Sequence, residues 1–251
     1  MCSSDLDTVV MFWFEVPRDV VKVSGADAAT YLQSQLSNDL RPLQVGGSVW
    51  SFLLQPTGRV DVLLRVWRTD ESTFVLDTDA GFGEAMVARL LRFRIRVKVD
   101  IEPLSWRCIA VRGAANELVD PPATSDRVVA WGSGYDLLGE QIEPPAGVPQ
   151  GGDAQLLAAR IEATWPAMGA EIAPGDTIPA ETGVTGVAVS FTKGCYPGQE
   201  LVERMDSRAA TAPRLLRTLS TPEAERLGAR ITSESEGRVL AYVPRSALGA
   251  D

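Results

Sequence analysis

No histidine occurs among the 251 residues. That absence removes Ser-His-Asp triads, Cys-His pairs, histidine-ligated zinc and histidine acid–base catalysis. Any group that titrates near neutrality must be a perturbed carboxylate, lysine or thiol. Cysteine is scarce: Cys2, Cys108 and Cys195 only. Their number is odd, their spacing wide and no CxxC pair exists, which excludes zinc ribbons and ferredoxin-type cluster ligation, and no metal site is expected. Such usage fits reduced thiols in the cytoplasm. No run of about 18 apolar residues is present, so no membrane-spanning helix is expected. The apolar stretch "TVVMFWFEV" is too short for one, and lacks the basic leader and small-residue cleavage site of a signal peptide. Cations are outnumbered, with 24 Lys and Arg against 33 Asp and Glu, a net charge of −9. That field disfavours nucleic acid and anionic membranes as partners. An anionic ligand would need a local basic pocket.

What is there is ordinary globular material, 45% hydrophobic and 23% charged, enough for one large domain or two to three small ones. "MCSSDLDTVV" does not read as the start of a domain, and Met11 is the expected native start, which leaves Cys2 without a role. A strand is expected at Val20–Val23, then a helix over "ADAATYLQSQL" with Ser24 as its N-cap. "SVWSFLLQ" and "GRVDVLLRVWR" read as strands about a turn at Pro56-Thr57-Gly58, and "STFVLDTD" as a third. "FGEAMVARLLRFRIRVKVDIEPL" passes from helix to strand. "SWRCIAVRG" and "RVVAWG" read as strands around a loop at Pro121-Pro122, and "AQLLAARIEATW" as a helix or a helix-to-strand passage. "LLRTLS" and "ARITSESEGRVLAYVP" read as short strands of a small barrel. The order implies an α+β fold.

The stretch with most chemistry is Lys193 to Glu200, "KGCYPGQE". "VAVSF" before it alternates like a strand, and "QELVERM" after it reads as a helix. Cys195 then sits in a strand-to-helix turn, where backbone N–H groups, the helix dipole and Lys193 would favour a thiolate. The plainer alternative is an inert, buried cysteine.

Lys193-Gly194-Cys195-Tyr196 followed by Gly198-Gln199-Glu200 matches every fixed position of the K-G-C-Y-x-G-Q-E signature, and the chain thereby resembles the YgfZ family of folate-binding proteins. These are similar to the aminomethyltransferase (T-protein) of glycine cleavage and include mitochondrial factors that help mature iron–sulfur proteins. "VSGADAATYLQSQLSNDL", "QPTGRVDVLLRVWR" and "RIEATWPAMGAEI…IPAETG" resemble other family stretches, and the likeness spans roughly residues 15 to 220. It implies a cloverleaf of ferredoxin-like α+β layers around a channel for tetrahydrofolate, closed by a small C-terminal β-barrel. The expected divisions are an N-terminal folate-binding subdomain over 11–104, a second α+β subdomain over 105–210 carrying the motif, and an incomplete barrel over 211–251.

The resemblance implies that Glu162 holds the pterin ring, whose adjacent N–H and amino groups suit one carboxylate. Asn38 either hydrogen-bonds the ligand or caps a helix end. Arg204 either meets the folate tail or pairs with Glu200 on its own helix. Gln199, Tyr196 and Asp61 complete the cofactor-binding candidates, and Cys195 and Lys193 are the catalytic ones. Two departures bear on activity. Leu63 stands where T-proteins carry the aspartate needed for methylene transfer, leaving Asp61 two residues earlier on the same strand face. The family glycine after "IEA" is Thr164, followed by Trp165, which either stacks on a flat ring or fills core.

The first functional expectation is a cytoplasmic, monomeric, tetrahydrofolate-binding accessory protein. It would support iron–sulfur cluster assembly or repair through Cys195, with folate and iron–sulfur client or assembly proteins as partners, and neither nucleic acid nor membrane. The alternatives are a folate-dependent aminomethyltransferase and a non-catalytic folate- or protein-binding scaffold.

Overall fold

A computed structural model of the chain describes residues 11–113, 126–207 and 212–249. The first ten residues, including Cys2, and the Pro121-Pro122 loop lie outside the described residues. The chain begins with β1 (Phe12–Glu15), β2 (Arg18–Ser24), α1 (Ala28–Gln35), β3 (Ser48–Leu54), β4 (Val60–Arg68), β5 (Thr73–Asp79), α2 (Gly83–Phe93) and β6 (Asp100–Leu104). It continues with β7 (Arg107–Arg112), β8 (Arg127–Val128), β9 (Gly134–Gly139) and α3 (Asp153–Glu162). α4 (Thr185–Ala188), α5 (Gln199–Ser207), β10 (Arg214–Ser220), α6 (Thr221–Arg226), β11 (Arg230–Ser235) and β12 (Arg238–Pro244) complete it.

Three open antiparallel sheets result: β3-β4-β5-β2-β6, β1-β7-β9-β8 and β10-β12-β11. The strand of residues 12–15 joins the sheet of residues 107–139, not that of residues 18–104. Period-two patterning explains the layering of the first sheet. Val62, Leu64 and Val66 of β4 face α1 and α2, burying Leu32, Leu36, Met86 and Leu90. Trp67 of β4, Val20 of β2 and Val75 of β5 point the other way, against Cys108 and Leu138 of the second sheet.

The pattern misplaces some boundaries. Ser24 ends β2 and Asp27 is the helix N-cap. "VAVSF" is not a strand: Val187 and Ala188 lie in the helical turn α4 and the chain then runs irregularly. Only Arg127–Val128 of "RVVAWG" pairs, and the partner strand β9 went unforeseen.

Between the first two sheets lies a buried charged chain that periodicity did not predict. Arg65 is 1% exposed; its Nε bonds Asp77 Oδ1 at 2.8 Å and its Nη1 bonds Asp136 Oδ2 at 2.7 Å. Arg18 Nε meets Asp77 Oδ2 at 2.7 Å, and Arg112 Nη1 meets Asp136 Oδ1 at 2.6 Å. Arg65 and Asp77 are cross-strand partners. Burial alone would push the Asp136 carboxyl up, but Arg112 and Arg65 hold it below the usual carboxylate range.

Candidate functional site

The thiol segment is built by fastening an irregular stretch to regular elements on both sides. Ser37, just past α1, donates its hydroxyl to Ala188 O at 2.6 Å and accepts from Phe52 N–H at 2.8 Å. Asn38 spends both amide hydrogens, on Trp50 O at 2.8 Å and Val187 O at 2.9 Å. Lys193 reaches back to the end of α1 and donates to Gln33 O at 2.7 Å, Asn38 O at 3.0 Å and Leu36 O. Those carbonyls have no intrahelical partners, and a cation at a helix C-terminus is favourable. Burial pushes the Lys193 amine down to about 8. Lys193 thus acts on the helix end, whereas the sequence pattern had assigned it to the thiol.

Downstream, two glycines meet. Gly58, in the Pro56-Thr57-Gly58 turn, has φ +83° and Gly198 has φ +84°. A Cβ on Gly198 would lie 2.5 Å from Gln55 O, and one on Gly58 would lie 2.4 Å from Leu201 Cβ. Only glycine suits both the left-handed backbone and the close approach. The β3–β4 turn therefore locks the start of α5. Tyr196 is buried beside Lys193, whose Nζ lies 5.1 Å from its ring centroid, and burial pushes the phenol up to about 12. Gln199 accepts from Tyr196 N–H at 3.3 Å and donates to Glu203. Arg204 pairs with Glu200 at 2.6 Å, the local alternative open from sequence.

Cys195 lies between these anchors and is exposed. Among the described residues no side chain hydrogen-bonds its sulfur. Val187 and Phe191 of the same segment are also exposed, at 52% and 41%. The arrangement holds a solvent-facing thiol on a braced backbone, in a segment that also exposes two apolar side chains.

Glu162 lies elsewhere. It ends α3, is exposed, and lines a cleft of about 490 Å³ with Phe12, Arg112, Trp131, Gly132 and Gln155. No residue of 193–204 lines that cleft. The Arg112 side chain is 2% exposed, and its Cζ lies 4.0 Å from the Trp131 ring centroid. Its Nη1 is bonded, and among the described residues the buried Nε and Nη2 have no hydrogen-bond partner. Trp131 and Arg112 were missed from sequence; the one available signal was an arginine ending an apolar strand.

The remaining candidates serve the fold. Asp61 is the extra residue of a β-bulge, since Leu53 pairs with Val62 and Leu54 with Val60. The bulge turns its carboxylate to Gln55 at 2.8 Å and Arg89 of α2 at 3.3 Å, away from Leu63, which packs with Trp50 and Met168. Trp165 packs on Trp50 with centroids 4.7 Å apart. Thr164 has φ +52°, which accounts for the glycine in the family pattern. Arg160 and Glu171 of the "RIEATWPAMGAE" stretch form a largely buried pair at 2.6 Å that also binds Ser233 of β11.

Comparisons place this geometry. No family model matches the chain. It is 31% identical over 233 residues to the mitochondrial iron–sulfur cluster assembly factor IBA57 of Homo sapiens, across 79% of this chain and 63% of that protein. It is 28% identical over 217 residues to the tRNA-modifying protein YgfZ of Yersinia pseudotuberculosis, across 76% of this chain and 65% of that one. The chain belongs to the YgfZ family. An uncharacterized protein of Haemophilus influenzae is 27% identical over 222 residues, covering 86% of this YgfZ-family chain and 76% of its own length. The chain thus spans just under two thirds of the human and Yersinia relatives. The solved glycine cleavage system aminomethyltransferase T from Bartonella henselae superposes with a TM-score of 0.75 at 21% identity, over 95% of this chain and 80% of that one, and shares the fold. No helix among the described residues is long and apolar enough to cross a membrane.

Proposed function

We propose that this YgfZ-family chain is a tetrahydrofolate-binding accessory factor for iron–sulfur cluster assembly or tRNA modification. The relatives' names support the process. The observation that carries the ligand is the Glu162 cleft: an exposed carboxylate and an indole wall line one cavity. That lining fits a flat ring carrying hydrogen-bond donors. Glu162 would accept from the pterin amino and ring N–H groups, with Trp131 and Phe12 lining the same cleft. When bound, tetrahydrofolate supplies a one-carbon carrier.

Cys195 works separately, because it does not line the same cleft. It is the contact point for an iron–sulfur client or assembly protein in the cytoplasm, in a segment that also exposes Phe191 and Val187. The fold likeness also raises aminomethyl transfer. Leu63, 3% exposed and packed on Met168 where a carboxylate would be required, argues against it.

The test is titration of the full chain with tetrahydrofolate by calorimetry. Saturable binding that Glu162→Gln weakens at least tenfold is expected, and no heat at millimolar ligand refutes the reading. Complementation of a strain lacking its YgfZ-family relative with Cys195→Ala tests the thiol: full rescue of iron–sulfur enzyme activity removes it from the mechanism.

A further inference from the structure

The chain is acidic overall, with a net charge of −9, yet residues 89–98, "RLLRFRIRVK", hold five cations and no acid. Arg89 is buried and pairs with Asp61 at 3.3 Å. Arg92, Arg94, Arg96 and Lys98 are exposed. Among the described residues none of these four side chains forms an ion pair. Asp27 is committed to the Lys98 backbone N–H at 2.7 Å, and Glu102 of β6 pairs with Lys22 at 2.5 Å. The segment is fastened rather than loose: Lys98 O accepts from Asp27 N–H at 3.3 Å, and Arg94 Nη1 donates to Val99 O at 2.7 Å. Arg96 has φ +58°, a left-handed backbone that glycine would adopt without strain.

Two large apolar side chains of the same run face water, Leu91 at 45% and Ile95 at 70% exposure. Leu91 also lines a groove of about 480 Å³ beside α2 and β6, with Val21, Val87, Ala88, Pro103 and Leu104. The groove's acids, Asp19 and Glu84, lie by the start of α2, about 10 Å along its axis from Leu91. An aliphatic groove that meets unpaired arginines at Leu91 complements a protein segment carrying both apolar side chains and carboxylates. RNA fits less well, because the groove offers bases no aromatic platform and the Phe93 ring is already covered by the Arg89 guanidinium, 3.9 Å from its centroid. A membrane surface fits less well too, because Met86 and Leu90 of α2 are buried in the core. We propose that Leu91–Lys98 and the groove beside α2 form a docking surface for an acidic, amphipathic segment of a partner protein. Neither Glu162 nor Cys195 lines this groove, so the inference stands whether or not the Glu162 cleft binds folate.

The probe is a fluorescein-labelled peptide with glutamate and leucine on opposite faces of a helix, titrated with the full chain and read by fluorescence anisotropy. Saturable binding is expected, weakened about tenfold when serine replaces the peptide's leucines and lost when lysine replaces its glutamates. Arg92→Glu with Arg96→Glu should weaken the original peptide by about tenfold or more, and Leu91→Ser by about threefold. Arg226→Glu with Arg245→Glu changes the net charge equally at exposed arginines of the C-terminal region and should leave binding within about twofold. Arg96→Gly should raise the melting temperature and still weaken the peptide, which separates contact with the partner from support of the fold. Absence of saturation at millimolar chain overturns the inference. So does equal binding of the serine peptide, or a control pair as damaging as the Arg92 and Arg96 pair. A uridine oligonucleotide that displaces the peptide, or phosphatidylserine vesicles that bind the chain through Ile95, overturns it in favour of RNA or a membrane surface. Near-ultraviolet circular dichroism checks that the variants fold.

Discussion

Lys193→Met separates a lysine that serves the fold from one that serves the thiol. In the wild type Nζ donates to Gln33 O at 2.7 Å, Asn38 O at 3.0 Å and Leu36 O. Methionine keeps most of the stem and removes all three bonds. Net values of about 1.5–3 kcal/mol per charge-assisted bond set an upper bound near 5–9 kcal/mol. The ammonium's own desolvation, which pushes it down to about 8, is relieved by the same change. The expected net loss is about 2–4 kcal/mol, dominated by carbonyls left without a donor. Urea unfolding at pH 7, followed by tryptophan fluorescence, should show a lower midpoint at an unchanged slope. The alkylation rate of Cys195 in the folded variant should stay within about twofold of wild type, since the lysine's hydrogen bonds are spent on α1. A loss under about 1 kcal/mol, or thiol alkylation tenfold slower with stability intact, refutes the reasoning.

Thr164→Gly should raise the melting temperature, by relieving a β-branched residue at φ +52° of about 1 kcal/mol. Arg65→Met leaves Asp77 and Asp136 buried without their shared cation and should cost about 3–5 kcal/mol in urea unfolding. In a Cys2→Ser background, Cys195 should react at once with a thiol reagent and Cys108 only after unfolding. Burial pushes the Cys108 thiol up to about 12 from an ordinary 9.0. Above pH 9 the unfolded chain loses that proton while the folded chain keeps it, so this thiol's contribution to stability falls between pH 9 and 12. Cys108→Ala should flatten that part of the stability–pH curve.

Strand alternation carries much of the fold in the sequence itself. Val62, Leu64 and Val66 cannot face water on one side of β4 while Leu63 and Trp67 fill the other without a layer on each face, and the structure has both layers. The motif glycines were legible as turns, because few other residues tolerate such backbones, though not as a pair in contact. Side-chain roles were less legible, because they depend on which segment lies opposite. "VAVSF" alternates like a strand, yet Ser37 and Asn38 claim the carbonyls of Ala188 and Val187 and leave no ladder to join. Lys193 stands two residues from the thiol in sequence, but its amine goes to a helix end 160 residues away along the chain. Local pattern determined most of the strands, the main helices and the glycine turns, but neither β9 nor the exposure of Cys195. Only tertiary contact decided that Lys193 serves the end of α1 and that Glu162 shares a cleft with Phe12 and Trp131, because hydrogen bonds and packing form between neighbours in space, whatever their separation in the chain.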